Sequence, residues 1–589
     1  METVVENASA SLNPVTTDSL ITAISLHPID ITIVVVYFTV VLGIGLWIGR
    51  NTKGGEDLFL AGRSLGWIAI GFSLFASNIS STTLIGLVGS AYDGGLYISN
   101  YEWMATIVLV FFVLFYVPIF LKSRISTIPE FLERRFGPKS RRYFSGLTII
   151  TNVLVDTAGS LYAGAVVLQL FFPELDMVTT CLVLAVIAGV YTAAGGLAAV
   201  VYTDVIQAVV LILGSILITY FVFAHPAIDF SWATLKEGIN DPSKFSVISP
   251  EHHSDFGKDA KLPWLGTLIG VPILGFYFWV TNQFIVQRVL GAKSVDDARW
   301  GALLGGLLKL PVLFIMVLPG LAFAIIWGTK SMALSGDFAF GNGASLEIWK
   351  EASGAWFMTG ESLVTLEEGL RWAPILPSDE VFPNMVHSLL PLGVTGLVLA
   401  GLIAAIMSSI DSTLNSASAL VTLDFIKPKR PDLTEAQVLK IGRISMGVIM
   451  IIAAVWAPQI ANFGGLFKYI QEMLAYMVPP VTVLFLLGVF WKGGTPQSGF
   501  ATLLGGHLVA IALFFIGPDL HFTLVAGVVF GASMLIYLGT SMWGETKSDE
   551  ELVDLMVQSG PGPQPGLKNY KLQSALLLGL TAILVGMFW

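Results

Sequence analysis

Fourteen stretches of this chain are each long and apolar enough to cross a lipid bilayer, and nothing constrains its folding more. They run roughly over 30–48, 65–90, 99–121, 143–172, 175–194, 203–224, 263–286, 299–328, 388–423, 442–457, 466–490, 496–516, 520–542 and 571–588. A helical span takes about 20 apolar residues, and within hydrocarbon every backbone N–H and C=O has to find its partner inside the protein. Segments of this length and even apolarity specify helices. The composition agrees, with 54% of the 589 residues hydrophobic and 12% charged, as in a polytopic membrane protein. Several segments exceed the minimum length, which leaves room for tilt or interruption. The expected fold is all-α, with about 14 transmembrane helices.

The net charge of −10 says little about partners when most of the surface faces lipid, but the placement of the 31 Lys and Arg residues says more. None precedes Arg50. Clusters then fall in the connections after odd-numbered spans, in Lys122 to Arg142, in QRVLGAKS (Arg288, Lys293) and in Lys427 to Arg443. The positive-inside bias assigns these connections to the cytoplasm, and an even number of spans leaves both termini outside. The first residues lack a basic segment and a small-residue cleavage site, so no removable signal peptide is expected. Two long outer connections, 225–262 and 329–387, are predicted to carry short helices over the outer mouth. The inner connection 544–570, acidic and then SGPGPQPG, reads as a mobile linker. The single cysteine, Cys181, lies in an apolar run and is expected to be a small buried hydrophobe. No nucleophile–base pair or metal-ligand cluster suggests an enzyme, and nothing points to a nucleic-acid partner.

Polar residues inside apolar spans carry the functional signal. The stretch Leu399 to Leu423 reads IMSSIDSTLNSASA at its middle, and Ser408, Asp411, Ser412 and Asn415 recur at helical spacing on one face. A carboxylate within a span is expensive and usually meets a cavity or an ion path. Hydroxyls and a carboxylate are also the hard oxygen ligands of an alkali cation, which makes this a candidate cation site. The second span contains SNISSTTLIG (Ser77 to Gly86), whose side chains compete for backbone hydrogen bonds and predict a broken helix. A Ser/Thr-rich helix packed closely against its neighbours is the other reading. Glu102 in YEWM, Asp204 in YTDVIQ, Lys309 in LLGGLLKLPVLF and Gln471 in FKYIQEM are either helix-end groups or contributors to a site. Lys309 lies near mid-span. A Glu, a Lys and a Gln can together donate to and accept from a polyol, while Tyr277, Phe278 and Trp279 can cover the apolar face of a sugar ring. Spacing alone does not bring these groups together.

The phrases SNIS, YEWM, TIPEFLERRFG, TAAGGLAAVVYTDVIQ, NQFIVQRVLGAKS, IMSSIDSTLNSAS, YIQ and VFWK stand in one order between about residues 30 and 540. Together they resemble the sodium/solute symporter family, most closely its sodium–glucose cotransporter branch. The resemblance implies a LeuT-type core of two inverted five-helix repeats, 64–224 and 263–490, the second containing the outer connection 329–387. Outside them lie an extracellular segment 1–29, a peripheral span with its cytoplasmic loop (30–63), the extracellular loop 225–262, and peripheral spans in 491–589 with the linker 544–570. It further implies import of a sugar, a hexose such as glucose or galactose, across the plasma membrane by alternating access, with sodium as the coupling ion. By motif match, sodium is held by Ala76 and Ile79 at the break with Ala405, Ser408 and Ser409. The sugar is held by Asn78, Glu102, Trp279, Lys309 and Gln471, and Phe278 is the inner aromatic gate.

The chain departs from the family pattern at Phe278, where Tyr is usual, and at Ala105 and Thr83, which put the particular sugar in question. Lys468, one turn before Gln471, is either a rim charge or a preference for an anionic sugar. Family members with a second sodium use hydroxyls near the first site and the carboxylate matched by Asp204. Asp204, Asp411 and Ser412, with Ser408, are therefore the expected second sodium site, giving two sodium ions per sugar. A protonated Asp411 is the rival reading, because burial raises a carboxylate's pKa. A symporter for another solute, such as an organic acid or amino acid, and a membrane solute sensor are the alternative functions. The oligomeric state is left open.

Overall fold

The structure, a computed structural model, describes residues 27–50, 52–171, 174–248, 255–258, 260–336, 376, 378–463, 466–557 and 563–589. The sequence readings for 1–26, for 337–375 and for the start of SGPGPQPG (558–562) lie outside them. Among the described residues, no strand forms. Eleven helices are long and apolar enough to span a membrane: Pro28–Gly49, Leu96–Lys122, Pro138–Gln169, Gly195–Ala224, Trp264–Thr281, Val295–Trp327, Val394–Lys429, Glu435–Phe463, Pro496–Ile516, Phe522–Thr540 and Tyr570–Met587. Two bent pairs, Trp67–Asn78 with Thr83–Gly94 and Lys468–Met477 with Pro479–Phe490, and the shorter Met177–Gly189 complete the fourteen expected segments. They are numbered below as spans one to fourteen in chain order.

Local chemistry sets their ends. Asp176, Ser294, Thr434 and Thr495 each accept a backbone N–H at a helix N-terminus, and proline opens the helices at Pro28, Pro138 and Pro496. Spans five and six run on through Gly196, whose φ of 63° turns the chain sharply. Glycine reaches that conformation without a Cβ penalty.

Span two is broken as expected. Its first helix ends at Asn78, Ile79 and Ser80 leave helical geometry, and the Ser80 hydroxyl accepts the N–H of Thr83 at 3.2 Å to start the second. The two parts meet at 55°. A second interruption went unnoticed in the sequence. Span seven widens into a π turn at Tyr277–Thr281, then Asn282 becomes extended (ψ 123°) and caps a new helix, Gln283–Leu290, by accepting from Phe284 N–H. Spans two and seven, five spans apart, are thus both interrupted. Interruption at corresponding positions is the mark of inverted repeats with a site between them. Span eleven bends by 51° at Pro479 and Pro480.

Span nine is buried on every side from Val398 to Leu420, so it forms the centre of the bundle. Spans one, ten, twelve and fourteen instead expose apolar side chains, including Val36, Val455, Phe515 and Ile583. The basic connections gather on one face. Arg63 donates to the carbonyls of Leu290 and Ile125, Arg141 pairs with Asp424 at 2.6 Å, and Glu435 accepts from Gly55 N–H. The inner connection 544–570 is tied to this face by Lys492–Asp549 and Lys122–Asp554 ion pairs. Arg135 of TIPEFLERRFG is fully buried and donates to the carbonyls of Gly488, Trp491 and Gly494. On the opposite face, Val247 binds the Phe588 carbonyl, and Asp30 accepts from Gly393 and Gly396. The short helices expected in the long connections on this side are Trp232–Ile239 and Ser378–Leu389. Gly89 admits the second of these, since a Cβ there would lie 2.1 Å from the Ser378 carbonyl oxygen. Cys181 is buried as expected.

Candidate substrate and ion site

Where spans two, three, four, seven, nine and eleven converge, they enclose a cavity of about 140 Å³. Asn78 and Thr83 line it from either side of the break, with Glu102, Phe278, Trp279, Ser409 and Gln471. The Asn78 side-chain carbonyl is buried without a partner, while Thr83 donates to the Asn78 backbone carbonyl at 2.7 Å and so braces the break. Phe278 makes edge contacts with Trp279 (5.1 Å) and Phe284 (5.6 Å), forming an aromatic corner.

Lys309 is not on the cavity wall. It lies behind Glu102, fully buried, and donates to that carboxylate at 2.5 Å, its ammonium 5.7 Å from the Trp279 ring and 6.0 Å from Phe75. A buried charge requires such a partner, and the ring faces add a smaller attraction. Glu102 is thereby a charge-balanced acceptor aimed at the cavity. Ala105 is buried without lining it. Lys468 is half-exposed and pairs with Glu472, as a rim charge would.

Beside the cavity, the break of span two lies against the middle of span nine. The Ser77 and Ser412 hydroxyls are 3.3 Å apart, and Ala76, Ile79, Ala405 and Ser408 are all buried there. Ser409 donates to the Ala405 carbonyl at 2.9 Å. The last carbonyls of Trp67–Asn78 have no next turn to accept from, and that helix end carries negative partial charge. Carbonyls and hydroxyls are the donor set a hard alkali cation takes, so these residues fit a sodium ion.

Asp204 is a buried hub. It accepts from Ser73 at 2.5 Å, Ser408 at 2.6 Å and Ser77 at 3.4 Å, and pairs with Arg288 at 3.2 Å. Arg288, fully buried, also donates to Ser73, to Ser412 and to the Phe284 carbonyl. The sequence reading took Arg288 only as a charge in a connection; it lies six residues after the span-seven break at Asn282. Asp411 goes elsewhere. Its Oδ1 accepts from Thr192 of the span-five segment and its Oδ2 has no partner. Ser408 and Ser412 stack at i and i+4, whereas Asp411 at i+3 is rotated about the helix and meets a different neighbour. The expected second set is thus divided: Asp204, Ser408 and Ser412 meet around a guanidinium, and Asp411 does not join them.

Asp156 and Ser160 of span four also line the cavity. Both were passed over in the sequence, although an acidic residue within NVLVDTAG is the same kind of signal as Lys309 within its own span.

Residues 58–347 and 369–506 match the sodium:solute symporter family. The chain belongs to that family. Among its relatives, a sodium/glucose cotransporter of Vibrio parahaemolyticus is 35% identical over 507 residues, covering 84% of this chain and 86% of the relative. Sodium/glucose cotransporter 1 of Oryctolagus cuniculus is 33% identical over 530 residues, covering 86% of this chain and 75% of the relative. The solved substrate-bound outward-open state of a Na+-coupled sialic acid symporter aligns with 88% of this chain and 99% of its own at a TM-score of 0.70 and 21% identity. That likeness shows the fold, the LeuT-type five-plus-five core expected from the motifs. This sodium:solute symporter is accordingly a multi-pass membrane transporter rather than an enzyme, with sodium as its coupling ion.

Proposed function

We propose that this symporter imports a sugar, a hexose such as glucose or galactose, across the plasma membrane. One observation carries the reading: acceptors and donors suited to a polyol (Asn78, Glu102, Gln471) share a single cavity with two aromatic faces (Phe278, Trp279) and with Ser409 of the sodium set. The names of the two relatives support the same substrate class. Sodium binds between Ala76, Ile79, Ala405, Ser408 and Ser409, steadying the broken helix against span nine. The sugar then binds with its hydroxyls on Glu102, Asn78 and Gln471 and its apolar face on Trp279, while Lys309 holds Glu102 in place. The two halves, 64–224 and 263–490, rock about this shared site. Sodium and sugar drive the motion only through their differential affinity for the two states. In our reading the basic face is cytoplasmic and both termini are extracellular.

A second sodium on Asp204, Ser408 and Ser412 requires Arg288 to withdraw, so two ions per sugar belong to a state in which that pair is broken. Asp411, turned toward Thr192, stands outside that set. The ratio of current to sugar flux in proteoliposomes reads the stoichiometry directly.

The test of the main reading is uptake of labelled hexoses into proteoliposomes under an inward sodium gradient. Sodium-stimulated uptake is expected, and Ser409→Ala should raise the half-saturating sodium concentration about tenfold, a loss of about 1.4 kcal/mol. Uptake indifferent to sodium would overturn the reading. Sugar binding without uptake would make the protein a sensor, and uptake of organic or amino acids alone would make it a symporter of another solute.

A further inference from the structure

We propose that Asp156 makes the cavity selective for a sugar bearing an ammonium group, an amino sugar, over its neutral counterpart. This rests on the sugar-importing reading above and names the substrate class within it. Asp156 sits in the π-helical turn Thr151–Thr157 of span four. Thr157 closes that turn by donating to the Asn152 carbonyl at 2.6 Å, and its hydroxyl lies 2.7 Å from that of Thr413 on span nine. Asn152 donates to Ser416 at 2.8 Å, one turn further along. These contacts lock the wide turn against span nine, with Asp156 on the cavity wall. Single π turns within α-helices recur at functional sites because they rotate one residue out of register.

The charge balance is what singles this residue out. The Asp156 Oδ2 is buried without a partner, and no described residue forms a side-chain hydrogen bond or ion pair with its carboxyl. The other carboxylate on the wall, Glu102, is neutralised by Lys309, and among the described residues no Lys or Arg lines the cavity. The Asp156 carboxyl is therefore left without a basic partner among the described residues, beside the groups that hold the sugar. An unpaired buried carboxylate is costly. A neutral sugar hydroxyl offsets part of that cost with a hydrogen bond. An ammonium makes a charge-assisted bond about twice as strong and cancels the charge as well.

The experiment compares sodium-dependent binding to the full-length protein of glucose, galactose, their amino derivatives with the amine at carbon 2, 3 or 6, and the N-acetylated, uncharged forms. At least one amine should bind about tenfold or more tighter than both its hydroxyl and its N-acetyl counterpart. In Asp156→Asn that ratio should fall close to one, and Asp156→Glu should restore part of it. Equal binding of amines and neutral sugars by the native protein, or a preference that survives Asp156→Asn, would overturn the proposal while leaving sugar import intact. A tenfold rise in half-saturating sodium in Asp156→Asn with the sugar ratio unchanged would assign the carboxylate to the ion instead and likewise overturn it. Binding of no sugar at all would overturn both readings.

Discussion

Lys309 meets Glu102 where protein excludes water from both, and the pair shows how one side chain governs another's chemistry. Taking two charges out of water costs several kcal/mol per ion, which their attraction offsets only while both are present. Lys309→Ala alone should therefore destabilise the fold by about 3–5 kcal/mol, because it strands the Glu102 charge. The double variant Glu102→Gln with Lys309→Met should regain most of that loss, since it buries no charge, yet it should transport poorly because the cavity loses its ionised acceptor. Thermal unfolding in detergent and uptake, measured on the same preparations, separate the two effects. A single variant as stable as the double would mean that the pair is not energetically coupled.

At the scale of the element, the irregular pieces of backbone are the functional ones. The break at Ile79 and Ser80 and the π turns in spans four and seven each bring side chains to the cavity wall, Asn78 and Ser80, Asp156, and Phe278 and Trp279 respectively. The helix Ser378–Leu389 offers a separate test. Burial raises the carboxyls of Asp379 and Glu380 above their ordinary range, the nearby acids Asp93 and Asp379 adding respectively to each; for Asp379 a hydrogen bond from Leu466 N–H opposes the rise. A carboxyl whose pKa is higher when docked binds its proton more tightly there. Docking of this helix should be strongest at and below the ordinary carboxylate range and weaken as pH rises from that range through the raised values. Amide hydrogen exchange of 378–389, corrected for the intrinsic pH dependence of exchange, reads this directly. Equal protection at both ends of that window would mean that these acids do not govern docking.

For the whole molecule, the contact that links the most spans is that of Arg288. Arg288 on the second part of span seven reaches Asp204 on span six, Ser73 on span two and Ser412 on span nine, and its neighbour Gln287 binds Asn415 and the Phe59 carbonyl. The pair therefore ties spans two, six, seven and nine together beside the expected sodium set, and we propose that opening toward the basic face has to separate it. Arg288→Gln leaves Asp204 buried and unpaired in the closed arrangement, which should shift the population toward the open one. Each 1.4 kcal/mol of that shift lowers the apparent sugar affinity from the outer side about tenfold. Sodium-dependent sugar binding to sealed, outside-out vesicles checks this, and an unchanged affinity would show that the basic face is held shut by other contacts.

How much of this was legible beforehand follows the range of the forces involved. Hydrophobic length is a local property, so the fourteen spans, their alternation and the broken second span could be read from the residues in order, and the motifs carried the family and its core. The Ser/Thr cluster at Ser77 to Gly86 acts within one or two turns, which is why it predicted a break. Tertiary packing alone decided which side chains share a point. It set Lys309 behind Glu102 rather than on the cavity, drew Arg288 into the bundle against Asp204 and Ser412, and turned Asp411 toward Thr192. It also left Asp156 on the cavity wall without a counter-ion. Pairing of buried charges depends on groups far apart in the chain, 207 residues in Glu102–Lys309 and 84 in Asp204–Arg288, and no spacing along the chain encodes which of them will meet.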